Sequence, residues 1–326
     1  MRTARRVGQI FLAVTVAFIQ FFTGPGTNSA SAKDIVNWSV VGSQRFVTTT
    51  DILARFNLGI DNQGTPYVVY YDDDKGSVRK FDGEDWVPVG EANFFESRDV
   101  PASIAFDSDN TPYIAYRSMD GPAEVMKYNG SGWEKVAESD APNYVTIAID
   151  KNDDIYIAYK RAVVEGTTML GKAAVFKLEG ASWEPLGADS LSVDNINLYA
   201  FALDSKGMPY IFYTDQYTNK VTVKKFDGDD WQTVGTEGFA SAEEELSIAL
   251  DSSDTPYIFY SAANYALNVM MFNGESWIDV DSGEVKAIKG GYHPTIAIDS
   301  GDTPYVAYSD KGSQYKGTVK KFNGQD

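Results

Sequence analysis

The sequence predicts an all-β protein, a six-bladed β-propeller of four-stranded antiparallel blades. Three observations predict it: a repeat of nearly fifty residues, four strand-like segments in each repeat, and a small residue at one fixed place in every second segment. The repeat is marked by all six tryptophans, Trp38, Trp86, Trp133, Trp183, Trp231 and Trp277, spaced 48, 47, 50, 48 and 46 residues apart. A period in this range belongs to propellers and solenoids.

Within a unit, the first segment starts at the Trp, as in Trp86-Val87-Pro88-Val89-Gly90. The second alternates and ends in Asp, as in Ser247-Ile248-Ala249-Leu250-Asp251. The third reads Pro256-Tyr257-Ile258-Phe259-Tyr260, and the fourth runs into an aromatic residue, as in Val221 to Phe226. Each is four to seven residues long, rich in β-branched and aromatic types and bounded by turn formers, which is the pattern of strands. Turns such as Asp82-Gly83, Asn129-Gly130, Asp227-Gly228 and Asn273-Gly274 join the fourth segment to the next Trp and supply the positive φ of tight hairpins. An Asp-x-x-x-x-Pro-Tyr motif or close variant follows the second segment, from Asp61, Asp107, Asp150, Asp204, Asp251 and Asp299. There the carboxylate is placed to bond turn amides while Pro presets the entry to the next strand.

The second segment carries Gly59, Ala105, Ala148, Ala202, Ala249 and Ala297 at one register position. Strands converge at a propeller axis, so crowding selects small residues there; this segment is expected innermost and the Trp segment outermost. Radial stacking buries both faces of each small sheet and leaves few open edges. The Trp segment at 38–42 precedes any inner strand, and the sequence stops at Phe322-Asn323-Gly324-Gln325-Asp326, where another Trp is due. The N-terminal strand is therefore expected to complete the last blade; a piece of a longer array is the alternative.

Residues 1–32 read as a signal peptide and residues 33–326 as one propeller domain. Arg2, Arg5 and Arg6 precede an apolar run over 7–22, and Ala30-Ser31-Ala32 offers small residues for cleavage. The competing reading, an uncleaved anchor, has to use a run shorter than the ~20 residues of a spanning helix. Removing three of the 28 basic residues leaves 25 against 46 acidic ones, a net charge of −21. Such a surface disfavours nucleic acid and anionic lipid. Cys is absent, so core burial rather than disulfides must hold the fold.

Loops from each outer strand to the next inner strand share one face with the hairpins joining the third and fourth segments. They vary in length and charge, and variable loops on a rigid scaffold are where binding residues gather. From this face, the candidate ligand-binding residues are Arg45, Arg55, Asp72, Arg98 and Arg117, with Tyr144, Asp215, Tyr292, His293 and Asp310. Glu243-Glu244-Glu245, Tyr265 and a long insertion at 160–172 lie there too. Features common to all six units are assigned to packing. With no Cys and one His, thiol catalysis is excluded, a multi-His zinc site is excluded, and any Ser-His-Asp triad rests on His293. Glycosidase chemistry stays open because it needs only two acids. Asp150-x-Asn152-x-Asp154 and Asp72-Asp73-Asp74 offer oxygen ligands for calcium, but neither continues as a twelve-residue calcium loop, and no cofactor is assigned.

The unit best shown by residues 251–277 and 299–326 resembles propeller repeats of secreted and surface-attached bacterial proteins. Its Tyr-rich strand and Gly-x-x-Trp turn also look like those of six-bladed fucose-binding lectins, which place an Arg, a Glu and aromatics in each interblade pocket. Sialidases are six-bladed as well, but their Ser-x-Asp-x-Gly-x-Thr-Trp boxes are absent here. The expected function is a secreted or cell-surface binding module, monomeric and without membrane insertion after cleavage, recognising a glycan or an extracellular protein. The alternatives are a carbohydrate-active hydrolase or lyase with an axial carboxylate and Tyr site, and a self-associating surface scaffold.

Overall fold

In the computed structural model, the first strand of the chain pairs with the last. The structure describes residues 38–42, 56–72, 75–97, 102–119, 121–141, 144–187, 196–243, 245–280, 285, 291–310 and 316–323. The expected signal peptide lies outside them.

Strand β1 (Trp38–Val40) comes first. Blade 1 is β2 (Phe56–Ile60), β3 (Pro66–Asp72), β4 (Lys75–Phe81) and β5 (Trp86–Pro88), with a short β6 (Phe95–Glu96) paired to β4. Blade 2 is β7 (Ser103–Phe106), β8 (Pro112–Arg117), β9 (Ala123–Tyr128) and β10 (Trp133–Ser139). Blade 3 is β11 (Val145–Ile149), β12 (Ile155–Glu165), β13 (Thr168–Glu179) and β14 (Ser182–Pro185). Blade 4 is β15 (Ile196–Leu203), β16 (Pro209–Asp215), β17 (Lys220–Phe226) and β18 (Trp231–Thr233), with β19 (Ala240–Ser241) paired to β17. Blade 5 is β20 (Leu246–Leu250), β21 (Pro256–Ala262), β22 (Ala266–Phe272) and β23 (Trp277–Asp279). Blade 6 is β24 (Gly291–Ile298), β25 (Pro304–Asp310) and β26 (Lys316–Phe322), completed by β1 with Trp38 opposite Phe322. All pairings are antiparallel, and the segment over 160–172 is the prolongation of the β12–β13 hairpin, not a loop of its own.

The inner strands β2, β7, β11, β15, β20 and β24 contact one another in sequence, and β24 returns to β2. The small residues sit in this crowded ring: a Cβ on Gly59 comes within 2.8 Å of Ile104 and 2.9 Å of Phe106. The core is divided into clusters between adjacent blades. Trp38, Phe259, Leu267, Val269 and Ile296 fill the junction of blades 5 and 6, for example.

Three recurring contacts join the blades, and each explains part of the repeat. At the rim, indole Nε1 donates to a carbonyl of the preceding blade: Trp86 to Val41 at 3.4 Å, Trp133 to Val89 at 3.1 Å, Trp277 to Val234 at 3.0 Å and Trp183 to Glu138 at 2.9 Å. The Gly after the accepting Val has positive φ and lies under that indole. A Cβ there comes within 2.9 Å of Trp86 from Gly42 and 3.0 Å of Trp133 from Gly90. Near the axis, small polar side chains two residues before the crowded position accept from the next inner strand. Asn57 accepts from Ile104 N, Ser103 from Ile147 N, Ser247 from Ile296 N and Thr295 from Leu58 N, at 3.0–3.2 Å. Blade 4 has Ala200 at this place, which offers no acceptor.

On the face of uniform turns, all six Asp carboxylates behave as the motif predicts. Asp204 Oδ1 accepts from Lys206 N at 2.9 Å and Met208 N at 2.8 Å, and the other five accept equivalent amide pairs. Asp150 is spent in this way, and Asp154 pairs with Lys177 at 2.8 Å, so the first calcium candidate is a turn. The side chains of the second, Asp72-Asp73-Asp74, lie outside the described residues.

The third residue after each turn Asp is left-handed, and in blades 3, 5 and 6 its carboxylate bonds a Ser of the preceding blade. Asp153 holds Ser108, Asp254 holds Ser205 and Asp302 holds Ser252, each through amide and hydroxyl. Blade 1 has Gly64 there, at φ +80° with open space around a Cβ, and Ser300 stands where Ser252 stands. Gly64→Asp is expected to add this contact between blades 6 and 1. Asp tolerates the left-handed region, so a gain of about 0.5–1 kcal/mol is expected. Thermal melting checks it, and a melting temperature that stays level or falls speaks against the contact.

Candidate functional site

The inner strands enter from the loop-bearing face, so residues four before the crowded position ring the axial mouth. Among the described residues these are Tyr144, Leu198, Glu245 and His293; the sequence has Arg55 and Pro101 at the same register place in the other two units, so no two of the six are alike. Below the mouth, a channel of about 90 Å³ is lined by Tyr144 and by Asn57, Ser103, Thr146, Ser247 and Thr295.

Glu245 and His293 are bonded across the junction of blades 5 and 6, with Nδ1 and Oε2 2.6 Å apart. The imidazole is buried, at 9% exposure, while Glu245 keeps 30% of its side chain exposed. Tyr292 faces Ser309 and Thr295 faces Ala307, so His293 and Pro294 share one place opposite Tyr308. This is a β-bulge, a device that re-aims side chains beside functional sites. His293 takes φ +54° in it. Tyr292 contacts Tyr265 of the neighbouring hairpin, with ring centres 4.6 Å apart.

On the blade 3–4 side, half-buried Tyr144 packs on Tyr199 with ring centres 5.5 Å apart, and the Tyr199 hydroxyl donates to the Tyr144 carbonyl. Burial, and then the charge of Glu245, push the Tyr144 phenol well above its usual range. Burial followed by Tyr144 does the same for Tyr199, so both rings stay neutral donors at physiological pH. Burial holds Lys160 below the ordinary lysine value. On the long hairpin, Lys172 is buried and paired with Glu165.

Of the predicted site residues, Tyr292 and His293 adjoin on the blade 6 bulge, and Tyr144, on blade 3, feels the charge of His293's partner Glu245. Arg117 ends β8 and is half-buried, with its Nε buried and without a hydrogen-bond partner. Asp215 caps its own hairpin, accepting from Tyr217 N at 3.1 Å and from the Thr218 amide and hydroxyl at 2.8 Å. Arg45, Arg55 and Arg98 lie outside the described residues, as do the side chains of Asp72 and Asp310. Glu245 and Tyr265 were legible only as loop-face residues, and Tyr199 not at all. Aligning the units on their small residue and stepping back four places finds Glu245, because among the described residues that step reaches the start of the inner strand.

No protein-family model matches the sequence, and no curated protein matches it. Solved structures do match in fold. The fungal lectin of Aleuria aurantia, described as a six-bladed β-propeller with a novel fucose recognition mode, aligns with a TM-score of 0.61 and 14% identity. That alignment covers 85% of this chain and 96% of the lectin. SapL1 lectin in complex with α-methyl fucoside aligns at 0.58 and 15% identity, over 84% of this chain and 94% of its own. An α-L-arabinofuranosidase of Fusarium graminearum with arabinobiose aligns at 0.60 and 10% identity, over 87% and 97%. The chain is a six-bladed β-propeller of the same fold as these lectins and this hydrolase.

Proposed function

We propose that this chain is an exported, glycan-binding propeller module that meets its ligand at the axial mouth of the loop-bearing face. The observation that carries this is the run of contacts Glu245–His293–Tyr292–Tyr265 at the junction of blades 5 and 6, with Tyr144 close enough to feel the charge of Glu245. Aromatic faces paired with hydroxyl-bonding groups suit the alternating apolar and polar faces of a sugar. Beneath the mouth the axial channel is lined by the polar side chains of Asn57, Ser103, Thr146, Ser247 and Thr295. Two of the structural neighbours are lectins and one acts on a glycoside, which supports a carbohydrate ligand without naming it. Export is supported by the basic start, the apolar run over 7–22 and the small residues at 30–32. Among the described residues no helix is long and apolar enough to cross a membrane.

A glycan array probed with the untagged chain tests this reading, followed by titration of any hit. Tyr265→Ala and Tyr292→Ala are expected to weaken binding about tenfold each, the loss of one stacking ring, without lowering the melting temperature by more than a few degrees. Retained affinity in both variants moves the site off the mouth, and a blank array rejects glycan binding. The contact of Glu245 with His293 also favours a second reading, a hydrolase or lyase working in the axial depression. A polysaccharide-degradation screen separates them: turnover that is lost in Glu245→Gln makes the chain an enzyme.

A further inference from the structure

The chain has one histidine, and three unfavourable features converge on it. His293 has a left-handed φ of +54°, a region that strains a non-glycine residue. It precedes Pro294, and proline pushes the residue before it toward extended backbone. Its Nε2 is fully buried with no hydrogen-bond partner, which leaves the desolvation of a polar atom uncompensated. A bulge at this place recurs in blade 4, between Ile196 and Tyr199, so the bulge itself belongs to the fold; the left-handed φ before a proline and the orphaned Nε2 are what set His293 apart there. Strain together with an orphaned polar atom at one residue is the mark of a place where a ligand is gripped.

The tautomer follows from the partner. A carboxylate only accepts, so Nδ1 of His293 carries the proton that faces Glu245 at 2.6 Å, and in the neutral ring Nε2 then carries none. Nε2 is then left with a free lone pair. It is an acceptor in need of a donor, and the donor that sugars supply is a hydroxyl.

We infer that His293 Nε2 is the hydrogen-bond acceptor for a hydroxyl of an uncharged sugar, at a single axial site per ring, with Glu245 as the positioning residue that fixes the tautomer. This rests on the glycan-binding reading and deepens it by naming the atom, the ligand's charge and the number of sites. One site follows because the sequence places six different residues four before the small residue of the six units, so no second unit reproduces the pair. An uncharged ligand follows because Glu245 keeps part of its carboxylate exposed beside the imidazole, where an anionic sugar is repelled. Entry requires the cover over Nε2 to shift. Tyr292, with its ring centre 6.4 Å from the imidazole's, adjoins it on the same bulged segment.

The test uses the untagged full chain with methyl α-L-fucoside, methyl α-D-mannoside and methyl β-D-galactoside at millimolar concentration. Saturation-transfer difference spectra report binding, and long-range ¹H–¹⁵N spectra report the imidazole, which is unambiguous because the chain has one His. The free protein is expected to show the Nδ1-protonated tautomer, and a binding glycoside is expected to shift Nε2. His293→Asn keeps a side chain that tolerates the left-handed bulge, so it should fold, and should bind about tenfold more weakly. Glu245→Gln should scramble the tautomer and weaken binding less. An Nε2-protonated free state overturns the inference, as does binding that leaves the imidazole and the His293→Asn affinity unchanged; the latter leaves glycan binding standing elsewhere on the loop face. No binding by any of the three glycosides also overturns the inference, and a blank glycan array in addition removes the reading beneath it.

Discussion

Deleting residues 33–42 is expected to abolish cooperative folding of the ring at ambient temperature. Trp38 is 2% exposed, opposes Phe322 with ring centres 5.2 Å apart and belongs to the core between blades 5 and 6. Val41 adds a backbone bond to Val319 at 3.1 Å, and its carbonyl receives the Trp86 indole of blade 1. The deletion therefore damages two junctions at once and leaves β26 as an open edge. Trp38→Ala alone should cost about 3–5 kcal/mol, the range for emptying a buried aromatic site. Circular dichroism melts of both variants measure this. A truncation melting with the parent shows that the ring does not depend on this strand.

The second large effect is expected at Asp204. Its carboxylate is 1% exposed, holds two turn amides and pairs with Lys225 at 2.8 Å, while Lys225 lies 4.9 Å over the Tyr210 ring. Burial pushes the pKa of Asp204 up, but Lys225 and the amides of Met208 and Lys206 outweigh it and hold the value below the usual aspartate range. Asp204→Ala strands the two amides and the half-exposed ammonium, a cost of about 2–4 kcal/mol given that solvent screens Lys225 in part. The sign of the pH dependence follows. A carboxyl with a folded pKa below its unfolded value of about 3.9 contributes its full stabilisation above that value, and loses it as pH falls toward the folded one. Asp107 shares the arrangement, with burial outweighed by Thr111 and Lys127. Acid unfolding should therefore set in below about pH 4, and melts from pH 7 to 3 should fall less steeply in Asp204→Asn than in the parent. Parallel slopes would remove Asp204 as a source of the acid limb.

Much of the fold was legible because a propeller repeats its packing problem, and repeated problems leave repeated residues. Trp-x-x-Val-Gly marks a donor, an acceptor and the glycine beneath the indole, and the turn Asp marks an amide pair. The short strands β6 and β19 were not legible, since two residues carry no periodicity. The long β12–β13 hairpin was seen as an insertion but not as strands, because its ladder continues past the repeated segment.

From its residues alone this chain determined its period, its strand order, its inner and outer edges and the closure of the sixth blade by the first strand. Each of these follows from local spacing and from the burial that each unit lacks alone. Which side chains meet at the axis was decided by tertiary structure. Glu245 and His293 are 48 residues apart, and only the curvature of the ring, with the bulge at His293, sets them 2.6 Å from each other. A contact made once, between residues that the other units do not share, leaves no repeat in the sequence to reveal it.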